Sequence, residues 1–241
     1  MVREFLPQRR KAATIGLGIG SGIIVIGKQA VQACFCCFIG SLSRWATRSD
    51  IMKALQEKIL REGKVLPGNI LKVSHFLNHQ LDVDFMMEMG REVARLYENA
   101  GVNKILTIEA SGIAFAVAVA AHMHVPVLFA KKSASSNMSA GKLSTQVASF
   151  THQKVYNVVV SRDLLSDEDR VLIVDDFLAC GNAVYGLMDL VAQAGGEVVG
   201  VTAAIEKGYQ GGGDALRARG VRVESLAIID EMSETGIRFR D

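Results

Sequence analysis

Cysteine is scarce in this 241-residue chain: there are four, with Cys34, Cys36 and Cys37 crowded into the first fifth and Cys180 far away. That distribution supports no disulfide framework. Adjacent Cys36 and Cys37 do not readily pair, and no second Cys or His cluster at zinc-ligand spacing accompanies them, so a reducing, cytoplasmic setting is the simplest expectation and no metal ligand is assigned. An excess of one charge is missing too. Lys and Arg number 27 against 25 Asp and Glu, for a formal charge of +2, and no basic block marks a nucleic-acid footprint. An anionic ligand must therefore be held locally. Nor does any apolar run reach the roughly 18 unbroken residues that a membrane-spanning helix needs, because Lys28, Gln29 and Gln32 interrupt the apolar stretches 12–26 and 31–42. No small-residue cleavage site follows Phe38. Internal repeats are absent.

What remains is an ordinary globular composition, 49% hydrophobic and 22% charged, at a length that suits one sizeable core. The run Gly16, Gly18, Gly20, Gly22 superficially resembles a nucleotide loop, but Ser21 stands where a third fingerprint glycine belongs and no strand precedes it. Residues 1–51 are read as an N-terminal extension outside the catalytic fold, and 52–241 as a single domain. Met52 opens a helix patterned by Leu55, Ile59 and Leu60, which marks it as the expected true start of the protein.

Along that domain, Gly63, Pro67 and Gly68 punctuate the chain before a small strand at 70–73, where a hood begins. Phe85, Met86, Met89, Val93, Leu96 and Tyr97 recur at helical spacing over 82–99, with Asp82 as a cap and Gly101 past the end. Strands are expected at 104–108, 125–130, 155–160, 171–174 and 197–205, and helices at 113–122 and 183–194. The serine-rich stretch 131–153 has little hydrophobic period and reads as a mobile lid. Alternation of strands and helices predicts an α/β fold with a mainly parallel central sheet flanked by helices, and ligands at the carboxyl ends of its strands.

The informative segment is Val171-Leu172-Ile173-Val174-Asp175-Asp176-Phe177-Leu178-Ala179-Cys180-Gly181-Asn182-Ala183: a buried strand, two carboxylates, a short loop and a helix start. Unpaired amides and partial positive charge at a helix N-terminus suit a phosphate, and Gly181 permits close approach. Asp175 and Asp176 are poor phosphate ligands but good acceptors for ribose hydroxyls. Capping the following helix is the competing role for them; the buried strand before and the glycine-containing loop after favour ligand binding.

This motif resembles the signature of type I phosphoribosyltransferases, and from Met52 to about Arg240 the chain is similar to their bacterial xanthine-using branch. The likeness extends to Leu71-Lys72-Val73, Phe76-Leu77-Asn78-His79-Gln80, Thr107-Ile108-Glu109-Ala110-Ser111-Gly112-Ile113-Ala114, Ser149-Phe150-Thr151, Ile205-Glu206-Lys207 and Arg222-Val223-Glu224-Ser225-Leu226-Ala227. It implies the type I fold with a small hood for the base. The implied activity is transfer of 5-phosphoribosyl from phosphoribosyl pyrophosphate to xanthine, with guanine or hypoxanthine as the alternative base. Ala179, Cys180, Gly181, Asn182 and Ala183 would hold the 5-phosphate, Asp175 and Asp176 the ribose hydroxyls as the catalytic pair, and Ser111 and Gly112 the pyrophosphate. Leu71, Asn78 and Lys207 would bind the purine, with Lys131 and Lys132 near the pyrophosphate. Magnesium carried with the pyrophosphate substrate and a homodimer are also implied, with no nucleic-acid or membrane partner. The sequence departs from the commoner pattern at Cys180, where relatives carry Thr or Asn, at Ala110 for Ser and at Phe115 for Pro. Ala179 stands where hypoxanthine-guanine enzymes place an acid.

Other features have plainer readings. Cys180 as a nucleophile competes with phosphate for one helix end. His122 and His124 lack a third ligand in sequence and read as a solvated helix end. Asp163, Asp167, Glu168 and Asp169 read as a solvated acidic turn, and residues 211–213 as a connector. A non-catalytic, phosphoribosyl pyrophosphate-sensing purine regulator is the rival class, and residues 1–51 lack the paired-helix DNA-binding pattern that it requires. A membrane-anchored enzyme depends wholly on the N-terminal apolar stretches.

Overall fold

The structure, a computed structural model, describes residues 48–133, 141–149, 154–233 and 235–240. The N-terminal glycine run, the three clustered cysteines and most of residues 1–51 lie outside them. Helix α1 spans Arg48–Glu62, starting before the expected Met52, because Ile51, 2% exposed, joins Leu55 and Ile59 on the buried stripe. The hairpin β1 (Lys64–Leu66) and β2 (Ile70–Lys72) and a short π-helical turn, Ser74–Asn78, follow. Helix α2, Val83–Leu96, is capped by the Asp82 side chain, which accepts from Phe85 N at 3.2 Å, and Lys58 donates to the same carboxylate at 2.7 Å, tying α1 to α2.

Eight strands form the main sheet in the order β10-β9-β8-β7-β3-β4-β6-β5. They are β3 (Lys104–Ile108), β4 (Val127–Ser133), β5 (Lys142–Ser149), β6 (Lys154–Ser161), β7 (Arg170–Leu178), β8 (Glu197–Lys207), β9 (Val223–Ser233) and β10 (Gly236–Phe239). The central five, β9-β8-β7-β3-β4, run parallel, and β10, β6 and β5 are antiparallel additions. Helix α3 (Gly112–Met123) packs with α1 and α2 on one face, where Phe115, Val119, Leu172 and Val174 share a core. Gly90 is the contact point of α2 and α3: a Cβ there would lie 2.5 Å from the Ala118 carbonyl. Helix α4 (Asn182–Ala194) covers the other face, where Leu187, Leu190 and Val191 meet Ile173 and Val201. The short α5, Gly212–Ala218, lies between β8 and β9 in sequence. No helix among the described residues is long and apolar enough to cross a membrane.

Several expectations are corrected. Strand β7 runs to Leu178 rather than stopping at Val174, so Asp175 and Asp176 lie on the strand itself. The longer β8 supplies ladder partners to the end of β7 (Asp175↔Ala203, Phe177↔Ile205, Leu178↔Glu206), and this pairing overrides the poor strand propensity of Asp. The described parts of 131–153 are not irregular: they complete β4 and form β5, which pairs with β6 from Lys142↔Ser161 to Ser149↔Lys154. Leu143 and Val147 point into the core from β5, and Gly186 of α4 leaves room for Val147, whose Cγ2 is 2.4 Å from where a Cβ would sit. Residues 134–140 and 150–153 lie outside the described segments. Asp169 is buried rather than solvated, because Lys104 Nζ donates to it at 2.7 Å and Ser166 N at 2.7 Å. His122 Nε2 lies 3.0 Å from the Met87 carbonyl, and His124 ends α3 in a left-handed conformation.

Candidate active site

The chain leaves β3 toward β4 on one side and β7 toward β8 on the other, so the boundary between β3 and β7 is a topological switch point, where open parallel sheets bind ligands at their carboxyl ends. Backbone pairing between these strands stops at Leu106↔Ile173. Beyond it the sequence supplies Thr107, the 109–112 turn, and the two aspartates.

Asp175 and Asp176 are 7% and 5% exposed. Ser111 Oγ donates to Asp176 Oδ1 at 3.0 Å, joining the β3 turn to β7, and Asp176 N donates to Asp175 Oδ1 at 2.9 Å. The Glu109–Ala110 peptide is cis. Gly112 is required here for space: a Cβ would fall 2.5 Å from Thr107 Oγ1 and 2.9 Å from Asp175 Oδ1. Ser111, Gly112, Asp175 and Asp176 are thus brought together as the sequence predicts.

Burial pushes the Asp175 carboxyl well above the usual carboxylate range, the neighbouring Asp176 pushes it further, and the charge of Lys132 opposes both. Lys132 Nζ sits over the Tyr156 ring, 5.2 Å from its centroid, and Lys132 N donates to Glu109 Oε1 at 2.5 Å. The Tyr156 phenol is raised by burial and then by Asp175. Tyr156 is therefore a member of this site that the sequence reading passed over; its β-branched neighbours mark it only as part of a strand.

A folded-state pKa above the unfolded one favours the ligand-free fold at low pH, and that contribution is lost as pH rises through the raised value. Accepting sugar hydroxyls calls for the ionised form, so ligand affinity runs the opposite way. Affinity for a sugar phosphate whose hydroxyls donate to the pair is expected to climb as pH rises through the Asp175 titration, with proton release on binding. Asp176→Asn, by removing the second carboxylate, is expected to move that acid limb to lower pH. Calorimetric affinities measured across pH check both; an acid limb that stays in place in the variant contradicts the assignment.

The loop after β7 turns at Gly181, whose φ of +83° is the left-handed region that suits glycine. Helix α4 then begins at Asn182 with no acidic residue in its first turn and no side-chain cap. Its first amides have no intrahelical acceptors and, with the dipole, make an anion cradle. The Asn182 side chain is used otherwise: Nδ2 donates to the Ala148 carbonyl at 3.0 Å, linking the helix start to β5. Cys180 Sγ lies 3.6 Å from Gln210 Oε1. Ala179 and Ala183 have only their backbone to offer an anion.

Lys207 ends β8 one residue beyond the Leu178↔Glu206 pair, beside the loop at Ala179. Its Nζ donates to the Asn69 carbonyl at the tip of the β1–β2 hairpin, at 3.4 Å, as does Tyr209 Oη at 3.4 Å, and it sits 5.7 Å from the centroid of Phe177. Burial lowers its pKa, with Cys180 acting in the opposite direction. Asn78 Oδ1 is buried without a hydrogen-bond partner, an acceptor or amide awaiting something polar. Leu71 is 6% exposed and packs in the core with Val73 and Phe76, its Cδ1 facing Gly63. Asn69 and Phe177 are contacts of Lys207, and Tyr209 shares its Asn69 acceptor; the sequence did not single out any of the three.

A buried diacid at a switch point, beside an uncapped helix start and a partly desolvated lysine, offers acceptors for hydroxyls, a cradle for an anion and a donor for a polar group. In agreement, residues 84–214 match the phosphoribosyl transferase domain family. The chain belongs to the phosphoribosyltransferase family. It is 50% identical over 182 residues to the xanthine phosphoribosyltransferase of Lachnoclostridium phytofermentans, covering 76% of this chain and 94% of that one. It is 52% identical over 190 residues to xanthine phosphoribosyltransferase 1 of Clostridium perfringens, covering 78% and 100%. Among solved structures, adenine phosphoribosyltransferase from Thermoanaerobacter pseudethanolicus aligns with a TM-score of 0.59 at 24% identity, over 73% of this chain and 98% of that one. That likeness carries the fold.

Proposed function

We propose that this chain transfers the 5-phosphoribosyl group of phosphoribosyl pyrophosphate to xanthine, giving xanthosine 5-monophosphate and pyrophosphate in purine salvage. The observation that carries this reading is the pair Asp175 and Asp176, buried at the β3–β7 switch point and held next to the open N-terminus of α4. Relatives named for xanthine, similar along nearly their whole length, supply the base.

In this reading a purine ring nitrogen attacks C1 of the ribose as the bond from C1 to the pyrophosphate oxygen breaks. Pyrophosphate departs with the electron pair, and the nitrogen's proton passes to solvent. Amides of residues 179–183 hold the 5-phosphate, the two aspartates accept from the ribose hydroxyls, and Ser111 and Gly112 border the pyrophosphate. Lys207 donates to an exocyclic oxygen of the base, a geometry that disfavours the amine of adenine. Ala179 leaves no acid at the loop to take a proton, and xanthine, substantially anionic near neutral pH, needs none.

Two buried carboxylates are hard oxygen donors but too few for a protein cage, which fits Mg2+ arriving on the substrate with phosphate and water as its remaining ligands. Bound there, the ion would offset charge developing on the leaving pyrophosphate. The family resemblance supports a homodimer, and the cysteine distribution suits the cytoplasm.

A panel of xanthine, guanine, hypoxanthine and adenine with phosphoribosyl pyrophosphate and magnesium tests the reading. Xanthine is expected to show the highest kcat/KM, by at least about tenfold, the advantage that one well-placed polar contact gives. A hypoxanthine preference turns the assignment to the guanine/hypoxanthine alternative. Binding without pyrophosphate release favours the sensor.

A further inference from the structure

Glu206, the residue before Lys207, has no exposed surface. Its Oε1 accepts from Arg217 Nη1 at 2.8 Å and its Oε2 from Arg217 Nη2 at 2.7 Å, and Oε2 accepts a third bond from Ser225 Oγ at 2.5 Å. Such a buried fork contributes direction more than stability, since well-packed apolar groups of the same volume serve stability as well or better.

What the fork directs is α5. Arg217 lies in its last turn, and Gly213, near its start, rests on the carboxylate: a Cβ there would be 2.0 Å from Glu206 Oε1. The next residue back, Gly212, lies against the phosphate loop. A Cβ on it would fall 2.2 Å from the Ala179 carbonyl oxygen, 2.5 Å from Cys180 C and 2.7 Å from Gly181 N. Carboxylate, Gly213, Gly212 and loop form one column of direct contacts, in which the one side chain, that of Glu206, is held by its three hydrogen bonds. A second clamp holds the same helix: Asp214 accepts from Arg217 Nη1 at 3.0 Å and from Arg240 at 2.9 and 3.1 Å, while Arg240 Nε donates to Asp230 at 3.0 Å.

We infer that Glu206 and Arg217 are positioning residues for the phosphate loop: their fork fixes α5, and the α5 glycines set the backbone of residues 179–181 that orients the amides toward the 5-phosphate. This rests on reading that loop as the 5-phosphate cradle. A shift of about 1 Å in such a cradle is enough to cost on the order of a hundredfold in rate.

Two variants of the full chain separate positioning from plain stability. Arg217→Lys keeps the charge and loses the fork. The double variant Glu206→Met with Arg217→Met removes both charges while filling the space, so it reports even where the lysine variant does not fold. Both are measured by thermal melting, by KM for each substrate, and by calorimetric binding of magnesium phosphoribosyl pyrophosphate. The expected result is a cooperative melt, a KM for phosphoribosyl pyrophosphate raised about tenfold or more, and a KM for xanthine within about twofold of the parent. Folded variants with an unchanged KM for phosphoribosyl pyrophosphate overturn the inference. So do variants in which both KM values hold and activity falls only with the folded fraction. A parent chain that fails to bind phosphoribosyl pyrophosphate overturns the functional reading itself, whereas a parent that binds and variants that bind equally well overturn only the positioning role.

Discussion

Replacing Asp175 and Asp176 together by asparagine is expected to abolish most nucleotide synthesis while leaving the fold at least as stable. Each carboxylate that accepts from a ribose hydroxyl contributes about 1.5–3 kcal/mol as a charge-assisted hydrogen bond. Losing two therefore lowers kcat/KM by roughly 10²–10⁴-fold at 1.4 kcal/mol per decade. Stability moves differently. Burial and mutual repulsion hold Asp175 above the usual carboxylate range, so the native state works against two adjacent charges that asparagine does not carry. Asn retains the acceptor for Ser111 Oγ and nearly the same volume. The expected pattern is a Tm that holds or rises alongside the loss of turnover, read by thermal melting and steady-state kinetics on one preparation. A variant that keeps its turnover sinks the sugar-binding role; one whose Tm and activity fall together shows the pair to be structural.

The same residues show how far the sequence carries. The apolar run 171–174 before two acids, a glycine and a helix start located the site, because each part has a local physical cause. β3 came out at its observed bounds, Lys104–Ile108, and the Asp82 cap is where its spacing put it. Strand β5 was hidden because Leu143 and Val147 alternate with Ser144, Gln146 and Ala148, a period-two pattern whose buried face also includes Thr145 and looks merely polar. The end of β7 was misread for the same kind of reason: only its pairing with β8 keeps two aspartates in a strand.

Glu206 was illegible on stronger grounds. A carboxylate after an apolar run looks like the exposed end of a strand, and nothing local says otherwise. Its burial depends on an arginine 11 residues on and a serine 19 residues on, and on a glycine at 213 that gives it room. Lys207 is partly legible: a lysine just past a buried strand at the ligand end of the sheet is a natural donor, but the Asn69 carbonyl that it meets comes from a hairpin 138 residues earlier. In the proposed reading the ammonium that would meet the base is also a donor to the hood hairpin, through the Asn69 carbonyl.

That coupling makes Lys207→Met the sharpest test of base recognition. The ammonium is partly desolvated, its pKa lowered chiefly by burial, and its hydrogen bond to Asn69 is long at 3.4 Å, so it gives up little when it turns to a better acceptor. A charged donor to a purine oxygen contributes about 1.5–3 kcal/mol, which predicts a KM for xanthine raised roughly 10–150-fold. Methionine follows the same path past Phe177 without the charge, so the hood loses one weak bond, keeps that of Tyr209 to Asn69, and stays folded. The KM for phosphoribosyl pyrophosphate is expected to stay within about twofold, since the cradle at 179–183 gains its grip from backbone amides. Discrimination against adenine should shrink as well, because the variant removes a donor that clashes with the exocyclic amine. Steady-state kinetics with xanthine and adenine decide it: a xanthine KM that does not move removes Lys207 from the base site, and equal rises in both substrate constants place its effect on the loop instead.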